Sequence, residues 1–173
     1  RRAQSPNFRD GKFHNPRASS TSLWSFLAMR IRTSYADWPK WVDSNFGQLN
    51  SSRIASSDLE ITHINHSTVL IQTAGFNILT DPIYSDRCSP VSWAGPKRVR
   101  NPGIRFEDLP PIDIVLISHD HYDHLDLPTL RRLIDRDKPL IYAGLGVQQQ
   151  IGKDYPLQEM DWWESVEPQQ GLK

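Results

Sequence analysis

The 173-residue chain is poor in cysteine, in net charge and in long apolar runs, and each shortage removes a class of explanation. A single cysteine, Cys88, rules out an internal disulfide and fits a reducing compartment such as the cytoplasm. Basic and acidic residues balance at 20 each, so no overall field draws the chain to nucleic acid. No apolar run approaches the roughly 20 residues that span a bilayer, and no secretory pattern opens the chain. The sequence starts Arg1-Arg2-Ala3 without a methionine, which fits a processed chain or a fragment. With no apolar region close behind, Arg1-Arg2 is too weak to read as a twin-arginine signal. There are no internal repeats, and Gly144 and Gly146 are explained by a strand-to-helix turn rather than a phosphate loop. What remains, 38% hydrophobic and 23% charged, is an ordinary globular profile long enough for one domain with a core.

Against that background one stretch stands out. Ser118-His119-Asp120-His121-Tyr122-Asp123-His124-Leu125-Asp126 holds three of the six histidines. The β-branched run Ile112–Ile117 precedes it as a strand. Leu127, Leu130, Leu133 and Ile134 follow as the apolar stripe of a helix near 127–136, with Asp126 as its N-cap. In an extended segment, residues two apart share a side. His119 and His121 can therefore hold one ion while Asp120 and Tyr122 point away. A turn then brings Asp123 and His124 toward a second ion. Imidazoles with a carboxylate suit zinc, and also iron or manganese. Two ions ~3.5–4 Å apart activate water and clamp a phosphoryl or acyl centre. A polar surface loop with chance histidines is the competing explanation, and the offsets and the preceding strand disfavour it.

The rest of the chain reads as support for this loop. Residues 1–57 form a polar, irregular arm, an apolar helix near 21–32 and a Ser/Asn-rich linker; residues 58–173 form the main domain. Thr21 or Ser22 can cap the helix, and Arg30 and Arg32 suit its C-terminal dipole. Its apolar stripe predicts packing on the domain, with a membrane-surface role as the alternative. Strands are expected at 59–64, 67–73, 76–80 and 140–142, with a further helix near 145–151. His63 reads as a pleat residue, and Trp162 and Trp163 are expected to pack on a further strand or its edge. The long connection 84–111 carries Arg87, Lys97, Arg98, Arg100 and Arg105. Either these are solvated surface charge, or Lys97 and Arg98 form a basic lip for a phosphate.

The motif His119-x-His121-x-Asp123-His124 resembles the signature of the metallo-β-lactamase superfamily. His66-Ser67-Thr68-Val69-Leu70-Ile71, Leu79-Thr80-Asp81-Pro82-Ile83, Gly95-Pro96-Lys97-Arg98, Leu109-Pro110-Pro111-Ile112-Asp113 and Asp161-Trp162-Trp163-Glu164 resemble the branch that contains N-acyl-phosphatidylethanolamine-hydrolysing phospholipase D and its bacterial relatives. That resemblance implies an α/β fold, the N-terminal half of an αββα sandwich. It implies a zinc site with two ions, and a phosphodiesterase acting on phospholipid-like substrates, with contact at a membrane surface. By the same resemblance, Asp81 orients the metal loop from behind the ligands and His66 supports the floor of the site. It also leads one to expect further ligands beyond His124, so this chain alone is expected to lack the complete site and to self-associate, as a homodimer for example. The rival readings are a lactonase or other small-ester hydrolase of the same superfamily, a truncated metal-binding module without activity, and a nucleic-acid-processing member, which the neutral charge disfavours.

Overall fold

The computed structural model of the protein describes residues 4–15, 22–34, 37–55 and 57–168. Two compact units are distinguished, Arg1–Lys40 and Trp41–Lys173. Thr21, one of the two expected helix caps, lies outside the described residues, as do Arg1, Arg2 and Pro16.

The first unit departs from the expected irregular arm. β1 (Phe8–Arg9) and β2 (Lys12–Phe13) pair antiparallel. Their turn is Asp10-Gly11, both at positive φ (52° and 74°), a geometry glycine tolerates and aspartate accepts. The Phe8 and Phe13 rings close the hairpin at 4.9 Å. The helix α1 (Leu23–Arg32) starts at Ser22, whose hydroxyl accepts the Ser25 N–H at 3.1 Å. None of its residues is buried, and Trp24 and Ile31 are 80% and 84% exposed.

The second unit is built on one six-stranded mixed sheet in the order β3-β4-β5-β6-β7-β8. β3 (Leu59–Asn65), β4 (Thr68–Thr73) and β5 (Phe76–Thr80) form an antiparallel meander. β6 (Ile114–Ile117), β7 (Leu140–Gly144) and β8 (Gln158–Met160) continue it in parallel. The helix α2 (Leu127–Asp137) lies between β6 and β7, and α3 (Val147–Ile151) between β7 and β8. Alternation along the strands puts Leu70, Leu79, Val115 and Ile141 on one face, where they are at most 2% exposed and pack in one cluster with Leu130 and Leu133 of α2. The described residues 41–55 and 57 have no regular structure, yet the segment 41–55 is tied to this unit. Gly47 N–H donates to Gly103 O at 2.6 Å, and Arg53 pairs with Asp113 at 2.7 Å.

The register puts Leu59 and Ile61 on the opposite face with Ile71, Ile78, Leu116 and Leu140. No Asp, Glu, Lys or Arg alternates onto this face, and Leu59 and Ile61 are 61% and 60% exposed. Trp162 and Trp163 do not pack as expected. They sit in a turn after β8, at 47% and 94% exposure, because the chain leaves the sheet at Met160 and Trp163 takes φ +69°.

Candidate metal centre

β5 and β6 are parallel neighbours, so their carboxyl ends lie side by side. In open α/β sheets ligands bind at such ends. Asp81 follows β5 and Ser118-His119 follows β6. The Asp81 N–H donates to Leu116 O at 2.8 Å, which extends the ladder by one residue before the two chains part. Asp81 is buried and held at φ +36°. Its Oδ1 accepts the Ser118 N–H at 2.7 Å, and its Oδ2 accepts the Ser118 hydroxyl at 2.7 Å and His124 Nδ1 at 2.9 Å. Ser118 Oγ in turn stands 2.9 Å from His119 Nδ1. A carboxylate only accepts. The proton assignment that satisfies every partner therefore puts hydrogens on Nδ1 of both His124 and His119 and leaves both Nε2 lone pairs free.

The loop coils immediately afterwards. His124 and Leu125 N–H both donate to His121 O, at 2.9 and 2.8 Å. This gathers the rings: His119 lies 4.5 Å from His121 and 4.0 Å from His124, centroid to centroid. Leu125 is buried and anchors the coil in the core.

His66 arrives from the β3–β4 turn, at φ +35°. Its Nε2 is 3.0 Å from Asp123 Oδ2 and must donate to it, and its ring lies 5.3 Å from that of His124. His63 is exposed on β3 and its Nε2 donates to His66 O at 3.2 Å. The ligand atoms of His66, Asp123 and His124 all fall within 4.8 Å of one another. Burial pushes the Asp123 carboxyl up. Its backbone hydrogen bond, the one from His66 and the electrostatic attraction of the neighbouring His124 outweigh that and hold it below the usual carboxylate range.

These residues fit a metal. The donors are imidazole nitrogens and a carboxylate, and a carboxylate behind the imidazole is the partner that fixes a ligating histidine's tautomer and ring angle. Beside the loop, a shallow and mainly apolar cavity of about 290 Å³ is lined by Asp81, Leu116, Ser118, Tyr142 and Met160, among others.

Lys97 and Arg98 differ in their surroundings. Lys97 is exposed where it bridges to Arg87. Arg98 turns inward, Nη2 donating to Ser85 O at 2.8 Å, because the 85–98 loop closes on itself there. Sequence reasoning gave Ser118 no role of its own, and the signal for it was only its place between strand and motif.

Comparison with known proteins gives the following. The Beta-lactamase superfamily domain model matches residues 76–173. An uncharacterised protein of Mycobacterium tuberculosis is 34% identical over 178 residues, covering 95% of this chain and 46% of its own length. N-acyl-phosphatidylethanolamine-hydrolysing phospholipase D 1 of Caenorhabditis elegans is 35% identical over 180 residues, covering 92% of this chain and 51% of its own length. A metal-dependent hydrolase of Salinibacter ruber is 26% identical over 97 residues, covering 56% of this chain and 36% of its own length. The chain thus spans about half the length of the first two relatives. Among the described residues, no helix is long and apolar enough to cross a membrane.

Proposed function

The chain belongs to the metallo-β-lactamase superfamily, and from that membership we propose that it serves in a metal-dependent hydrolase. The finer reading is a phosphodiesterase of phospholipase D type acting on N-acyl-phosphatidylethanolamine-like lipids. It draws on the likeness to the nematode protein of that name. The hydrolase reading rests above all on the grouping of the His121 and His124 rings 4.5 and 4.0 Å from that of His119, with Asp123 3.8 Å from His124 Nε2 and Asp81 behind His124.

In this reading His119 and His121 hold one ion and Asp123 and His124 the other. Zinc is the favoured metal, and iron or manganese suit the same donors. When bound, such ions activate water and offset the charge that builds on phosphoryl oxygens. The protein's part is positional. Asp81 accepts the Nδ1–H of His124 and keeps Nε2 turned outward. Ser118 does the same for His119. His66, while it donates to Asp123, holds that carboxylate rather than competing with it. The exposed Lys97 is the one of the pair placed to meet a phosphate. Arg98, occupied by Ser85 O, shapes the loop that presents it. The exposed apolar residues of α1, with Arg30 and Arg32 in its last turn and no acid in its first, support contact with a lipid surface.

The test compares the wild-type chain with a His119→Ala/His121→Ala variant after dialysis against metal-free buffer, by elemental analysis. Retained metal in the wild type, lost in the variant, is expected. Metal near about two ions per chain means that the site closes, within the chain or across a dimer, and vesicles containing N-acyl-phosphatidylethanolamine should then yield phosphatidic acid in a metal-dependent way. Background metal in the wild type would sink the metal reading; bound metal without phosphatidic acid would sink the lipid reading alone.

A further inference from the structure

The metal loop is gripped by two buried carboxylates that reach in opposite directions. Asp81 reaches from the segment 81–85 to the loop, binding Ser118 at its start and His124 near its end. Asp126 reaches back from the far end of the loop to the same segment. Its Oδ2 accepts the Ser85 N–H at 2.8 Å, the Tyr84 N–H at 3.1 Å and the Thr129 hydroxyl at 2.6 Å, and its Oδ1 accepts the Ser85 hydroxyl at 2.8 Å. The helix-capping bond, from Thr129 N–H, is the longest of the set at 3.5 Å. Capping needs one side-chain oxygen and one amide, so most of what Asp126 binds serves another purpose.

That purpose is visible at Asp81. A buried non-glycine residue at φ +36° carries backbone strain, and strain persists only where the surroundings over-determine it. Two struts hold the residues around it. Thr68 Oγ1, fully buried, donates to Asp81 O at 2.7 Å and accepts the Ile83 N–H at 3.0 Å. Asp126 holds Tyr84 and Ser85, three and four residues on. We infer that Asp126 is a positioning residue for the metal ligands: by locking Tyr84–Ser85 to the start of α2, it keeps Asp81 where it orients Ser118 and His124. The inference rests on the metal reading above, and its test includes a readout that needs no metal.

Asp126→Ala removes the strut. Asp126→Asn preserves most of it, because an amide oxygen in the place of Oδ2 still accepts from Tyr84, Ser85 and Thr129, while the NH2 can donate to the Ser85 hydroxyl. Thr129→Val is a milder break, deleting the hydroxyl that donates to Asp126 and accepts from Tyr84 N–H at 3.0 Å. Leu133→Ala destabilises the core without removing a hydrogen bond of the clamp and serves as the control. Two quantities are read on each: Co(II) affinity by absorption titration, and hydrogen exchange of the Ser118 amide without metal. Ser118 is the telling amide because it bonds Asp81 and not Asp126. Asp126→Ala should weaken Co(II) binding about tenfold or more and selectively speed Ser118 exchange. Thr129→Val should do the same to a lesser degree, and Asp126→Asn should stay near wild type. Should Asp126→Ala fail to fold, Thr129→Val against Leu133→Ala decides. Unchanged Ser118 protection in both clamp variants overturns the inference, as does Leu133→Ala matching them on both readouts. If the wild type takes up no Co(II), the metal reading fails, and Ser118 exchange still decides the clamp.

Discussion

His66 shows what one residue gives up for its place. At φ +35° it occupies a region that side chains with a Cβ disfavour by about 1–2 kcal/mol, and it does so at the point where its imidazole reaches Asp123. His66→Gly is therefore expected to be more stable than His66→Ala by about 1 kcal/mol in urea unfolding, since glycine alone loses the backbone penalty. Both should lose metal affinity relative to wild type. A glycine variant no more stable than the alanine one would show that the turn carries no strain. Cys88 offers a second check on the surroundings of the loop. Burial, then the negative charges of Asp123 and Asp126, push its thiol up, against Arg98. Less thiolate at pH 8 means slower alkylation by iodoacetamide than for a free cysteine in the same solution. Alkylation at the free rate would place the thiol in open solvent away from those carboxylates. The sequence named Asp126 as a cap and nothing more, because its partners at Tyr84 and Ser85 lie some forty residues away in the chain.

At the scale of elements, local pattern was a good guide where one face is buried. β3, β4 and β5 follow the alternation read from 59–80, and α2 runs Leu127–Asp137 from its Asp126 cap to Lys138 at φ +53°, just before Pro139. The stripe of α1 has the composition of a packed helix and none of the burial. The Asp10-Gly11 hairpin, with its standard turn dipeptide, forms where polar composition predicts an irregular arm. If α1 meets lipid, Trp24→Asp and Phe26→Asp should each lower sedimentation with anionic vesicles severalfold, and salt should weaken binding through Arg30 and Arg32. Sedimentation unchanged in both variants would exclude the helix as the contact.

The whole molecule presents an asymmetry that no single element contains. One face of the six-stranded sheet is closed by α2, α3 and the 104–112 segment, and the other is apolar, uncharged and partly open. An exposed patch of that kind drives association. The purified chain is expected to self-associate with rising concentration in analytical ultracentrifugation. Ile61→Lys, which puts a charge at the open end of that face, should shift the equilibrium toward monomer. A monodisperse wild-type monomer over roughly a hundredfold concentration range would count against the prediction.

The sequence by itself determined the candidate donor types and their order, since His119, His121, Asp123 and His124 sit within one short loop whose spacing needs no distant partner. It also determined the strands that flank the loop, because alternation and β-branching are local. Only the tertiary structure decided which groups stand behind the ligands and what the sheet leaves open. Asp81 meets Ser118 and His124 because β5 and β6 pair in parallel, and His66 meets Asp123 because the β3–β4 turn bends at positive φ. Those contacts are set by strand register and turn geometry, which depend on the whole sheet and on no single stretch of residues.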